Sequence, residues 1–295
     1  MLFRSSPILN EEGLSWFLFS QSWMQNFKFV SLSASNAKLD SKNLTLPPLD
    51  VNAEVDEAGT WKKITLAAAG NSTHVELQPA AGAVQISVSA DSFAVPFGST
   101  STLKKFKATG TASRSELNVT EFTGGIYDGI VSGNAKLAWG ATWTLKGEMS
   151  AKQIRMFRLT PELIDNGSLE GKAKFAMQAQ DAGALFTSAP RMEGNFAIID
   201  GTVVGVNLGL LFRNPQSRGS SKFAELAGNF IHENGKTQIR KVNLSAGLLS
   251  ANGNGDVDAN GKLSGNFVVD LKFPDRQHRS NLVVSGTLKE PLFNQ

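Results

Sequence analysis

Apolar and polar side chains alternate with a period of two along most of the chain. Between residues 125 and 139 the pattern sets Val131, Gly133, Ala135, Leu137 and Trp139 against Ile130, Ser132, Asn134 and Lys136. Successive side chains leave a strand on opposite sides, so this is the pattern of a strand with one apolar face. It begins near Lys28 and recurs through "LTLPPLDVNAEVD", "TWKKITLAAAG", "HVELQP", "VQISVSA", "LKKFKATGTA" and "SELNVTEF". In "TWTLKGEMSA" the residues Trp143, Leu145, Gly147 and Met149 share a face.

The C-terminal third is the most regular part. Residues 222–273 read as four strands, with Asn234-Gly235 joining the first two and Asn260-Gly261 the last two. Both dipeptides tolerate the positive φ angles of tight hairpin turns. Val242 and Leu244 lie in the second strand. In the fourth, Phe267, Val269, Leu271 and Phe273 face one way, and Asn266, Val268, Asp270 and Lys272 the other. A fifth strand carries Leu282 and Val284 and stops at Pro291. Hairpin after hairpin predicts a mainly β chain built as a long antiparallel meander.

Three short helices interrupt it. Residues 11–24 place Leu14, Phe17 and Leu18 on one side of an amphipathic helix. Residues 151–165 space Ile154, Phe157 and Leu163 at roughly helical intervals, with Thr160 before Pro161 as N-cap and Asn166-Gly167 as the stop. A helical turn is expected at 206–213. The expected organisation is an N-terminal helical segment at 1–27, a first part of the sheet at 28–150, a helical interruption with a return strand at 151–190, and a C-terminal β region at 191–295. No shift in composition marks a linker.

Composition narrows the function. Charged residues make up 19% of the 295, with 28 Gly and one Tyr, which suits strands and turns rather than helices or disorder. The net charge of +3 is mild, and Lys and Arg are scattered rather than gathered with aromatics on one element, so a nucleic-acid partner is not expected. Small basic clusters at 213–222 and 275–280 read as solvated loops, with contact to anionic lipid headgroups as the alternative. The absence of cysteine excludes disulfides, thiolate metal sites and a Cys nucleophile. No run approaches the ~20 apolar residues that span a bilayer as a helix. The apolar run Leu14–Phe19 is short and follows Glu11 and Glu12, unlike a signal peptide.

Nothing in the sequence points to catalysis, to a metal or to a cofactor. His74, His232 and His278 stand apart in three segments, with no acid at useful spacing. Asp256, Asp258, Asn260 and Gly261 copy the opening of a calcium loop, but its twelfth position is Phe267 rather than Glu, and a hairpin turn explains them fully. The glycine-rich "GNGDVDANG" is not followed by a helix that could hold a phosphate.

Three stretches carry a resemblance to the AsmA family. "LNVTEFTGGIYDGIVSGNAKLAWGATWTLKGEMSAKQI" resembles a family segment in which a strand ends in a Gly-Tyr-type turn and returns. "NFAIIDGTVVGVNLGLLFR" is similar to its Asp-Gly element. The closing region follows the family's C-terminal order of turn, glycine-rich strand and terminal Gly-Thr-Leu before Pro, on Gly235, Gly253, Gly255, Asp256, Val257, Asp258, Gly286, Thr287, Leu288 and Pro291. The likeness spans roughly residues 115–292.

The resemblance implies a twisted sheet curled into an open groove, apolar inside, that binds or conducts phospholipid or another acyl lipid. It implies a non-enzymatic factor of the bacterial cell envelope, between inner and outer membrane. It also implies a periplasmic site, normally tethered to the inner membrane by an N-terminal anchor that this chain does not carry, with other envelope proteins as further partners. Freeing an acyl chain of ~16 carbons from a bilayer costs on the order of 12 kcal/mol at ~0.8 per methylene, which only a continuous apolar trough offsets. The groove candidates are Val131, Leu137, Trp139, Trp143, Leu145, Val242, Leu244, Phe267, Val269, Leu271, Leu282 and Val284. Alternation alone does not say whether their face meets lipid or protein. The alternative is therefore a structural or interaction β domain with a filled core, acting on outer-membrane protein assembly without lipid. A polysaccharide-active module is a third reading, one that lacks the carboxylate pair such chemistry needs.

Overall fold

Strands dominate, as the alternation requires, and they pair in the order in which the chain makes them. A computed structural model describes residues 8–10, 31–40, 48–58, 60–68, 72–95, 101–210 and 219–294. Within these the chain divides into two units. Unit 1 comprises the described residues up to 125 together with 132–147 and 178–188; unit 2 comprises 126–131, 148–177 and 189–295. The boundaries cross the sequence repeatedly, because strands contribute to both.

Unit 1 holds β1 (Ile8–Asn10), β2 (Ser31–Asp40), β3 (Leu49–Val55), β4 (Trp61–Ala68), β5 (Thr73–Ala80), β6 (Ala83–Ala94), β7 (Thr102–Ala112) and nearly all of β8 (Glu116–Ile126). From β2 to β8 each strand pairs antiparallel with the next, and β1 lies parallel to β2. The core of this unit gathers Ala53, Trp61, Ile64, Leu77 and Val84. β9 (Gly129–Ala138) and β10 (Trp143–Arg155) contribute to both units.

Unit 2 continues with all but the last two residues of β11 (Ile164–Ala179), then β12 (Arg191–Val204), β13 (Ser220–Glu233), β14 (Lys236–Ala246), β15 (Leu249–Val257), β16 (Leu263–Lys272), β17 (Gln277–Gly286) and β18 (Pro291–Asn294). These eight form an unbroken antiparallel meander. Its core runs across the inner face from Ile164 and Ile198 through Phe223 and Leu244 to Val269 and Leu282. The segment after β12 folds back so that Val206 and Leu208 join it. The fold is thus mainly β and, apart from β1, antiparallel.

The hairpins at Asn234-Gly235 and Asn260-Gly261 form where the sequence puts them, with φ of +51° and +73° at the first pair. The stretch 125–139 is not one strand. Tyr127 and Asp128 take φ of +48° and +60° and turn the chain, so Gly125 and Ile126 end β8 and Gly129–Ala138 form β9. The expected helix at 151–165 reduces to one 3-10 turn, Met156–Arg158, because 151–155 extend β10 and β11 starts at Ile164. Asn166-Gly167 is no helix stop; it is a positive-φ irregularity inside β11. In the expected helix at 206–213, residues 208–210 are a turn, Val206 and Asn207 belong to neither helix nor strand, and 211–213 lie outside the described residues, as does the helix expected at 11–24. One short helix, α1 (Ala182–Thr187), is capped by the Asp181 carboxylate, which accepts a hydrogen bond from the Ala184 amide at 2.8 Å.

Candidate functional site

Two glycines open the inner face of unit 2. Gly255 on β15 and Gly265 on β16 are cross-strand partners, so no side chain fills the face where they meet. The ring of Phe267 lies across this bare patch: a methyl group added at Gly253 would come 2.6 Å from its Cδ1, and one at Gly265 3.0 Å from its Cε2. At Gly255 the same addition would meet nothing closer than 3.6 Å, the ordinary contact distance. Space therefore remains above Gly255.

That space is part of a cavity of about 220 Å³. Its walls come from β11 to β18 and from the returning segment: Phe196 and Val203 of β12, Ile239 of β14, Val257, Leu263, and Phe293 of β18, with Val206 behind. Apolar groups make up almost all of its surface. A void of ~150 Å³ lined in this way stays dry and takes up benzene, whereas drug-sized sites start near ~300 Å³. The volume suits a short apolar segment, such as part of an acyl chain, rather than a whole lipid.

A bulge shapes one wall. The pairing of β14 with β15 slips between Ile239 and Val242, with Lys241 at φ +52° and its amide donating to Asn254 Oδ1 at 3.0 Å. The extra residue brings Ile239 and Val242, three apart in sequence, to the same apolar face. Arg240 Nη1 braces the bulge, donating to the carbonyls of Ile239 and Gly255 and to Asp256 Oδ1 at 2.7 Å. Asp256 and Ser264 are the polar residues at the rim of the cavity, and the Asp256 carboxylate is committed to Arg240. The arrangement offers dispersion and exclusion of water, with no acid-base pair aimed into the space.

The sequence candidates divide. Val242, Leu244, Phe267, Leu282 and Val284 line the cavity. Val269, fully buried, and Leu271, half-buried, pack in the core beside it. Val131 is half-buried on β9 in unit 2, away from the lining. Leu137, Trp139, Trp143 and Leu145 belong to unit 1. There Leu145 is buried, the two Trp rings stack at 5.8 Å, and the Trp139 indole donates to the Arg114 carbonyl at 2.8 Å. Reading from sequence alone misses Phe196, Ile239, Val257, Leu263 and Phe293, and above all Gly255 and Gly265, whose missing side chains make the space.

Asp258 closes the β15–β16 hairpin. Its carboxylate accepts from the amides of Asn260 and Lys262, both at 2.9 Å, and these bonds, the Lys262 one first, hold its carboxyl below the usual carboxylate value. Among the described residues no group of three or more His, Asp or Glu side chains is placed to hold a metal. His232 Nδ1 lies 2.9 Å from Thr237 Oγ1 across a hairpin. No family model matches the chain, and no curated protein or solved structure matches it either.

Proposed function

We propose that this is a non-enzymatic protein of the bacterial cell envelope that holds the acyl part of a phospholipid on the inner face of unit 2. The observation that carries the reading is the almost wholly apolar cavity over the Gly255–Gly265 pair. A methylene moved from water to such a surface gains ~0.8 kcal/mol, so even a short segment of chain contributes several kcal/mol. The order of AsmA-like motifs between residues 115 and 292 supports passage of lipid between inner and outer membrane as the purpose, with a periplasmic setting.

A second reading rests on a different observation. Val269 is 0% exposed, and Leu249 and Leu282 pack into the same cluster, so protein fills part of the inner face. A structural β domain that influences outer-membrane protein assembly needs no more than that.

The test is native mass spectrometry with lipid extraction on the wild type and on Gly255→Leu. The substituted side chain has room to enter the cavity, and Gly255 is not at positive φ. Acyl lipid on the wild type, absent from an equally or more heat-stable Gly255→Leu, supports the lipid reading. A stable wild type that carries no lipid and takes up no fluorescent fatty acid leaves the structural reading in its place.

A further inference from the structure

The two ends of unit 2 are chemically unlike. β12, β14 and β16 finish at one end, and β11, β13, β15 and β17 begin there, because each strand from β11 runs antiparallel to the next. Backbone hydrogen bonds tie the loops of this end together: Arg155 to the Tyr127 carbonyl at 3.0 Å, Val204 to that of Leu163 at 2.9 Å, and Lys272 to that of Leu248 at 3.0 Å.

Of the eleven large hydrophobic side chains exposed among the described residues, six sit in these loops. They are Tyr127 between β8 and β9, Phe157 in the 3-10 turn and Leu159 after it, Leu210 after β12, Leu248 between β14 and β15, and Phe273 after β16; Ile130 follows on β9. The turns at the opposite end are Asn234-Gly235, Asp258–Gly261 and Thr287–Glu290, which expose no large apolar side chain. Single exposed hydrophobics are ordinary; six of eleven in the loops of one end, and none in the turns of the other, are a pattern.

Cations accompany the apolar tips. The Arg158 guanidinium lies 5.3 Å from the centre of the Phe157 ring, and Arg276 stands at the same distance from Phe273. Arg155 and Lys272 are exposed in the same loops, against Asp128, Glu162 and Asp275. Arg158 and Asp128 are 4.0 Å apart, at the limit of pairing. We propose that this end of unit 2 is a rim that docks on a bilayer surface, its apolar tips entering the headgroup layer and its arginines meeting lipid phosphates.

The occupant follows from the arrangement. The apolar tips stand on separate loops, and an arginine stacks on two of them, Phe157 and Phe273, whereas a folded protein partner covers a largely uncharged patch. Separate amphipathic tips, each able to sink its apolar part and keep its guanidinium at phosphate level, match the chemistry of a lipid interface. The rim does not depend on what fills the cavity.

The experiment is flotation of the full chain with vesicles of phosphatidylcholine, with and without phosphatidylglycerol. Expected is binding that strengthens with phosphatidylglycerol and falls about tenfold or more in the triple variant Phe157→Ser, Leu248→Ser, Phe273→Ser. The equally exposed Ile231→Ser, Leu292→Ser pair serves as control and should bind like the wild type. Phe157→Trp, which keeps an aromatic tip, should shift its fluorescence to the blue on adding vesicles. Gly255→Leu should float with vesicles even where it has lost lipid, which separates the rim from the cavity. A wild type that floats with neither vesicle, a triple variant that binds unchanged, a control that loses as much, or a Phe157→Trp variant whose new indole stays in water would each overturn the rim.

Discussion

Asp270 is the one buried charged residue among the described positions, 7% exposed, in the polar row of β16. Its carboxylate accepts from Arg279 Nε at 2.8 Å, Arg279 Nη2 at 3.3 Å and Gln277 Nε2 at 2.9 Å. The bonds from Arg279 first, then Gln277, hold its carboxyl below the usual value. A carboxylate with a depressed folded value stabilises the fold fully above its unfolded value of ~3.9 and loses that contribution as pH falls through the folded value. Urea midpoints of wild type and Asp270→Asn should therefore differ most at neutral pH and converge in acid below ~3.9. A gap that stays constant across that range would show that the ion pair contributes nothing through titration. Arg279 is 67% exposed, so solvent screens the pair and the neutral-pH gap is small. The alternation assigns Asp270 to the outer face, but not its burial, which depends on the register that sets Asp270 opposite Arg279.

At the scale of the strand, the period of two places most of the fold, and its failures share a cause. "WKKI" (61–64), "LKKF" (103–106) and "IRKV" (239–242) each set two apolar residues three apart around a pair of cations. No regular strand buries both ends of such a group. In each case the ladder slips, and Trp61 with Ile64, Leu103 with Phe106, and Ile239 with Val242 share the inner side. The motif was therefore present in the sequence, but its meaning depends on the register of neighbouring strands. The same limit hid the cavity: Val242, Leu244, Phe267, Leu282 and Val284 are legible by period, whereas glycines that face each other across a ladder show no period at all. In β14 the slip occurs against both β13 and β15, so Lys241 is surplus to both ladders. A chain lacking Lys241 should fold with both ladders regular and lose less than about 1.5 kcal/mol. A chain lacking Asn243 should instead turn the buried Leu244 or Val242 outward and lose about 2–5 kcal/mol. Equal losses in chemical denaturation would mean that the bulge is not the spare residue it looks like.

The division into units is a property of the whole molecule that no boundary in the sequence marks. The C-terminal region expected from residue 191 onward lacks two members of its own core, Met156 and Ile164, as well as Leu163 and Leu169, which pack against that cluster. Leu163 and Ile164 also form a wall of the cavity. Every residue of the cluster and of the cavity lies at or after Met156. A chain of residues 148–295 should therefore show a single cooperative denaturation and keep the cavity, read as uptake of a fluorescent fatty acid that Gly255→Leu abolishes. A chain of residues 189–295 loses two buried side chains worth about 2–5 kcal/mol each, against a total stability of about 5–15 kcal/mol for a domain. It also leaves the whole of β12 without its β11 partner, exposing Ile198 and Phe196 along a bare edge. It should aggregate or denature without a cooperative transition. If it folds as sharply as the longer chain, β11 is an accessory strand, and the inner face of unit 2 begins at β12.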